Sequence, residues 1–351
     1  MIRARVIGAG GYGGVGIVEL LLRHPNAEIA GLYDIAEIGK PLSALYPHLR
    51  GFCDLEILDV AREGDAPPAD VAFLATPDGA GQQLAPKLVV RGTRVVDYSG
   101  DFRFDTLDDY REYATRIGRN PDHGAPELLP KSVYGLAELY RSRIAEATVV
   151  GNPGCFAVSI ILGFAPALKA GLIEPDGLIA DSKTGVSGAG KTPRPQFHYP
   201  AQYDNMYAYK MTGHQHVIEV EQQLSKIAGR RLALTFAPQV VPVCRGIMSC
   251  LYGTLTDNHG LDDAVEAYRD FYRKARFVRV LDKGVAGQNA AVRGSNFCDL
   301  WVNVDARTRR LVVVSHIDNL MKGQAGSALQ NMNVMFDLDE MAGLNRPGLY
   351  P

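Results

Sequence analysis

The chain opens with Arg3-Ala4-Arg5-Val6-Ile7-Gly8, which reads as a short buried strand. It runs straight into Ala9-Gly10-Gly11-Tyr12-Gly13 and then an apolar helical stretch that Pro25 closes. The glycines fit G-x-G-x-x-G, placed after a strand and at the start of a helix. That order commits the beginning of the chain to a βαβ unit. Glycines here let backbone amides approach a pyrophosphate, and the helix N-terminus favours its charge. Gly8, Gly10, Gly11, Tyr12 and Gly13 are therefore the candidate dinucleotide contacts. The competing explanation is a glycine-rich turn that merely packs a helix on a sheet.

Further strands follow at 27–34, 69–77 and 93–100, with helical stretches between them, so the first part predicts a parallel sheet. Asp34 ends the second strand. An acid at that point can bond the ribose 2′-hydroxyl of NAD, where an arginine would accept the 2′-phosphate of NADP; a solvated turn residue is the other explanation. Near residue 150 the texture changes. One helix follows Cys155, then a strand and a second glycine loop, then longer strands at 232–243, 246–256 and 300–318, with an amphipathic helix at 261–275. The 351 residues thus read as two domains. The expected division is a dinucleotide-binding α/β domain over 1–150, rejoined by a C-terminal helix from about 319 onward (319–351), and an α+β domain with an open mixed sheet over 151–318.

Bulk properties exclude several classes. With 37 Lys+Arg against 39 Asp+Glu and no basic stretch, nucleic acid is not an expected partner. No apolar run reaches the ~20 residues that span a bilayer, and the first residues enter a strand rather than a signal peptide. The five cysteines are scattered and odd in number, which suits a reducing compartment. A cytoplasmic protein is the expectation.

One cysteine differs from the rest. In Asn152-Pro153-Gly154-Cys155 a turn leads into the helix, so Cys155 stands at the helix mouth. The dipole and free amides there favour a thiolate, a nucleophile that needs no strong base beside it. The alternative is a small packing residue. A cysteine nucleophile beside a nicotinamide implies acyl transfer to sulfur followed by hydride reduction to an aldehyde. Such chemistry needs a proton carrier, usually histidine. The segment Thr212-Gly213-His214-Gln215-His216 starts a helix, with Glu219 three residues after His216 and so on the same face. His216 is the favoured acid/base, with His214 as its rival. A solvated helix start and an H-x-H metal pair are the other readings, and no further ligand cluster supports a metal.

The motifs GAGGYGG, DYSGDFR, NPGC, SGVSGAGK, TGHQHVIEVEQ, PVCRGI and DNLMKGQAGSALQ, in that order, resemble those of the N-acetyl-γ-glutamyl-phosphate reductases, relatives of aspartate-semialdehyde dehydrogenase. The resemblance implies a Rossmann domain plus an α+β substrate and oligomerisation domain, a homodimer or homotetramer, and an acyl-phosphate substrate. It implies Cys155 as nucleophile and acid/base work at His214 or His216. It implies Ser187 and Gly188 beside the nicotinamide, and a cofactor contact at Asn319. The substrate's carboxylate and phosphate make Arg103, Lys191 and Arg245 candidate anion partners, with Asn152 beside them.

The same resemblance marks departures. The family usually has Ser or Thr at Gly10, Arg at Lys191, and Ser-Arg where Asp34-Ile35 stand. NADP(H) is the cofactor implied by resemblance, whereas Asp34 points toward NAD(H). Two other functions fit parts of the pattern. A carrier-linked aminoadipyl-phosphate reductase shares the chemistry, but SGVSGAGK and NPGC favour the free acetylated substrate. A non-catalytic dinucleotide sensor has no use for a helix-mouth cysteine.

Overall fold

The computed structural model describes residues 1–257 and 259–351. The chain forms two compact units, Met1–Pro153 with Gln324–Asn345, and Gly154–Gly323 with Arg346–Pro351.

In the first unit the strands are β1 (Ile2–Ile7), β2 (Ala27–Asp34), β3 (Ile57–Asp59), β4 (Val71–Leu74), β5 (Arg94–Asp97), β6 (Ser132–Tyr134) and β7 (Val149–Gly151). They form one sheet in the order β3-β2-β1-β4-β5-β7-β6, with every pairing parallel. The central strand β4 is fully buried; Val71, Ala72, Phe73 and Leu74 each show 0% exposure, the apolar run expected of a sheet covered on both faces. Strand order reverses between β1 and β4, which opens a crevice beyond their carboxyl ends. Helix α1 (Tyr12–Leu21) starts there.

Two glycines make that start possible. Gly8 has φ +86°, and a Cβ on it would lie 2.4 Å from the carbonyl oxygen of Ala75. A Cβ on Gly14 would lie 2.2 Å from the Gly8 carbonyl oxygen. The loop is thus pressed onto β4's exit and the helix onto the loop, at distances only glycine permits.

The second unit is built on a mixed sheet of β8 (Leu178–Thr184), β9 (Tyr207–Ala208), β10 (Leu234–Val240), β11 (Ile247–Thr254), β12 (Val278–Val280), β13 (Cys298–Asp305) and β14 (Arg310–Ile317). Its order is β12-β13-β14-β11-β8-β10-β9. The pairs β8–β10 and β12–β13 are parallel, and the remaining pairs are antiparallel. Strict alternation of buried and half-buried residues along β11 follows from the two-residue period of a strand with one covered face. The long helix (Cys155–Lys169) is buried from Phe156 through Leu168.

The chain leaves the second unit slightly later than the sequence suggests. Asp318 and Asn319 are bonded within it, so the helix expected from about 319 begins as a π-helical turn at Met321–Ala325 and is α-helical over Gly326–Met335. Residues 346–351 also stay with the second unit, where the Leu349 amide donates to the Arg293 carbonyl. Among the described residues no helix is long and apolar enough to cross a membrane.

The glycine geometry gives a direct test. Gly8→Ala combines left-handed strain with a backbone clash and is expected to cost about 2–4 kcal/mol. Gly39 has φ +79°, and the place its methyl would take has nothing within 4 Å. Gly39→Ala therefore bears the strain alone, about 1 kcal/mol. Thermal unfolding of both variants should show the larger drop for Gly8→Ala; equal drops would contradict the close approach.

Candidate active site

Cys155 is the first residue of its helix, labelled α2 (Cys155–Lys169), and Gly154 is the N-cap with no side-chain cap of its own. A helix start leaves amides without intrahelical partners. Here the Gly154 N–H donates to Glu219 Oε1 at 2.8 Å. Glu219 is fully buried and lies in the first turn of a second helix, α3 (His216–Ala228). So a carboxylate of one helix fastens the mouth of another, and the cysteine follows directly.

His216 opens α3, and its ring lies against Gly154. A Cβ on Gly154 would sit 2.4 Å from His216 Nε2. Gly154 has φ −70°, which any residue adopts, so glycine is required there for space and not for backbone shape. On another side of the thiol, a Cβ on Gly323 would sit 2.7 Å from Cys155 Cβ. The cysteine is half-buried, and none of the five cysteines is in a disulfide.

The two histidines are not equivalent. His214 is 3% exposed, and its Nδ1 accepts from the His216 backbone N–H at 3.2 Å. An imidazole that accepts at Nδ1 carries its proton on Nε2. Burial, then the neighbouring His216 and Lys210, pushes its pKa down to about 2. It is therefore neutral at working pH and acts as a cap on α3. Rings of Phe156, Phe236 and Tyr209 surround it at 5.1–5.6 Å between centroids. Tyr209 packs beside His214 and is not marked by the sequence. Its hydroxyl lies 3.5 Å from His214 Nε2, and burial, followed by the nearby Cys155, raises its pKa. A tyrosine five residues before a histidine carries no signature of its own.

The second glycine loop, 185–190, is held in the same unit. The Val186 and Ser187 amides donate to the carbonyls of Val243 and Cys244. Asn319 Nδ2 donates to Ser187 Oγ at 3.0 Å, and its Oδ1 accepts from the Gly246 N–H at 2.7 Å. Asn319 thus staples the loop that holds Ser187 and Gly188. Arg245 Nε and Nη2 donate to the buried Asp318 at 3.2 and 3.1 Å, which fixes a partly exposed guanidinium. Lys191 is exposed at the end of the loop.

In the first unit, Asn152 and Arg103 turn inward. Asn152 is 1% exposed; its Nδ2 donates to the Gln324 carbonyl and its Oδ1 accepts from Asn331. Arg103 is 7% exposed, and its Nε donates to the Asn152 carbonyl at 2.7 Å. Both brace the turn that delivers Gly154 and Cys155. At the first glycine loop, Gly11 caps α1 without a side chain and no acid lies in the first turn, which leaves the helix amides for an anion. Asp34 Oδ2 accepts from the Gly10 N–H at 2.9 Å.

Residues 3–147 match the family described as semialdehyde dehydrogenase, NAD binding domain, and residues 155–319 the family described as semialdehyde dehydrogenase, dimerisation domain. The N-acetyl-gamma-glutamyl-phosphate reductase of Bacillus cereus (strain B4264) is 41% identical over 99% of this chain and 100% of its own length. That of Desulforudis audaxviator (strain MP104C) is 44% identical, with all of both chains covered. Among solved structures, aspartate semialdehyde dehydrogenase II of Vibrio cholerae superimposes with a TM-score of 0.73 at 16% identity, covering 96% of this chain and 99% of that one. A probable aspartate-semialdehyde dehydrogenase of Pseudomonas aeruginosa gives 0.71 at 17% identity, covering 95% and 98%. At these identities the structures speak for the fold.

The cap role of His214 predicts a pH effect. Its folded pKa lies below the unfolded value of about 6.5, so the unfolded chain binds more protons below pH 6.5. Stability is full above that pH and falls as the pH drops toward about 2; at pH 5 the share lost through this residue is ~2 kcal/mol. Urea unfolding at pH 7.5 and 5 should show a shallower loss for His214→Asn, which keeps an acceptor for the His216 amide. His24 and His316, also lowered by burial, leave a residual slope. Identical slopes in variant and wild type would contradict the assignment.

Proposed function

This chain belongs to the semialdehyde dehydrogenase family, alongside the N-acetyl-γ-glutamyl-phosphate reductases, and from that premise we propose that it reduces N-acetyl-γ-glutamyl phosphate. The products are N-acetylglutamate 5-semialdehyde and phosphate, a step of arginine biosynthesis in the cytoplasm. The observation that carries the reading is the convergence of His216 and Glu219 on Gly154, the residue before Cys155.

Cys155 is the nucleophile. Its sulfur attacks the γ-carbonyl carbon, the C–O bond to phosphate breaks with its electron pair, and a thioester remains. Amides at the mouth of α2 hold the oxygen as charge develops on it. The glycine loop and the uncapped start of α1 would hold a nicotinamide dinucleotide by its pyrophosphate, and such a cofactor would supply hydride to the thioester carbonyl. His216 protonates the resulting oxygen to give the thiohemiacetal. It then removes that hydroxyl proton as the C–S bond breaks, freeing aldehyde and thiolate. His214 shapes the site as a neutral cap, and Glu219 balances a protonated His216 from within the protein.

For the substrate's anionic ends, Arg245 is the better prepared partner, because Asp318 already fixes its plane. Lys191 offers a mobile second charge. Arg103 and Asn152 act through the turn they brace. NADP(H) is the cofactor implied by the family resemblance, and NAD(H) the one suggested by Asp34. The dimerisation domain match supports a homodimer, or a homotetramer built from it.

The test is turnover of N-acetylglutamate semialdehyde with phosphate and each nicotinamide. Cys155→Ser should lose turnover while still binding the dinucleotide. His216→Asn should lose about 10²–10⁴-fold in kcat, and His214→Asn far less. Wild-type rates in Cys155→Ser would overturn the proposal.

A further inference from the structure

Resting on Cys155 as the nucleophile, we propose that Ser159 is a positioning residue. Through a row of buried hydroxyls it sets the depth of the thiol against the strands that carry the candidate ligand groups. The stretch Phe156–Leu168 of α2 is buried throughout, and Ser159 is its one polar side chain. It follows Cys155 by four residues, so the two share a helix face. On the sheet, Ser249 of β11 is in register with Ser182 of β8 and with Ser315 of β14. All four serines show 0% exposure.

The hydroxyls form one connected network. Ser182 Oγ donates to Ser249 Oγ at 2.8 Å, and Ser159 Oγ lies 2.9 Å from Ser249 Oγ and 3.0 Å from Ser315 Oγ. A hydroxyl has one hydrogen, so Ser249 donates to Ser159 and Ser159 donates to Ser315. Ser315 Oγ in turn lies 3.5 Å from the sulfur of Cys298 on β13. A buried network satisfied in this way rigidifies the packing around it. One helical turn further on, the helix presses on the same strand: a Cβ on Gly163 would lie 2.0 Å from Leu251 Cδ1.

Apolar contact alone does not fix how a helix sits along a sheet. Hydrophobic burial is non-directional, whereas one polar side chain in an apolar seam can set the register. The far half of α2 has directional links of its own. The Tyr268 and Tyr272 hydroxyls donate to the Gly163 and Leu162 carbonyls at 2.5 and 2.6 Å. The Leu162 carbonyl is free for this because Pro166 has no N–H. The half that bears Cys155 is tied to the sheet through Ser159. Each strand in the row leads to a ligand candidate. Strand β8 runs from Ser182 toward the loop of Ser187 and Gly188. Arg245 stands just before β11. Strand β14 runs from Ser315 toward Asp318, which fixes Arg245, and toward Asn319, which holds Ser187. Ser159 thus keys the thiol to all three strand ends at once.

The rival is that the row only stabilises the core. Two variants separate the readings: Ser159→Ala, and Ser159→Ala/Ser182→Ala/Ser249→Ala/Ser315→Ala. The second removes both ends of each serine–serine bond, so its Tm should stay within about 5 °C of wild type. In both variants kcat with the semialdehyde, phosphate and a nicotinamide should fall about 10–100-fold while KM stays within about threefold, because the sulfur shifts and the anion partners do not. Crystal structures of wild type and the fourfold variant, superposed on β8, β11 and β14, should place the two Cys155 sulfurs about 1 Å or more apart. An unmoved sulfur, or wild-type kcat in the fourfold variant, would overturn the proposal. A wild type without turnover would sink the reductase reading instead, and the position of the sulfur would still decide this one.

Discussion

The hydrogen bond from the Gly154 amide to Glu219 Oε1 joins the starts of two helices, and the proposed chemistry depends on it. A bond to a charged acceptor contributes about 1.5–3 kcal/mol. Leaving a fully buried carboxylate short of a partner costs more than the bond itself is worth, so the two helix starts stay together. That fixes His216, one turn before Glu219, over the residue that precedes the thiol. The helix behind Cys155 is buried along nearly its whole length and cannot fray. A reactive group at the tip of such an element keeps its position without help from a loop.

Close approach is the second constraint. Gly154 yields its Cβ position to the His216 ring, Gly323 yields to Cys155, and Gly8 and Gly14 let loop, strand and helix touch. In each case another atom already fills the place of the missing methyl. The polar residues around these contacts serve mainly to hold backbone. Asn319, Asp318, Asn152 and Arg103 spend most of their hydrogen bonds on main-chain groups or on each other, so the two candidate ligand loops and the cysteine turn are preorganised before any ligand binds.

The sequence made some of this legible. The strand, glycine loop and helix at the start follow from local pattern, because glycine spacing and apolar period are read over a dozen residues. The alternation in Ile247–Thr254 likewise marks a strand with one covered face. Cys155 stood out because a Pro-Gly turn before an apolar run fixes a helix start. Burial is harder to see. Arg103 and Asn152 are candidate ligand residues by their motifs, and their burial and bonds to the cysteine turn arise only in the packed fold. His214 and His216 differ by two positions, and the distinction between a backbone cap and a ring beside the thiol arises from where α3 begins. Tyr209 reaches the site through tertiary packing. The helix expected from about Asn319 begins at Met321, just after Asp318 and Asn319, which are tied into the second unit.

The central claim is that the Cys155 sulfur receives the acyl group. Incubating the protein with the acyl phosphate in the absence of nicotinamide, quenching in acid and mapping the peptides by mass spectrometry tests it directly. The account predicts one N-acetylglutamyl group on the peptide containing Cys155, labile to hydroxylamine as a thioester is. An unmodified Cys155 peptide with the acyl group on another residue would contradict it.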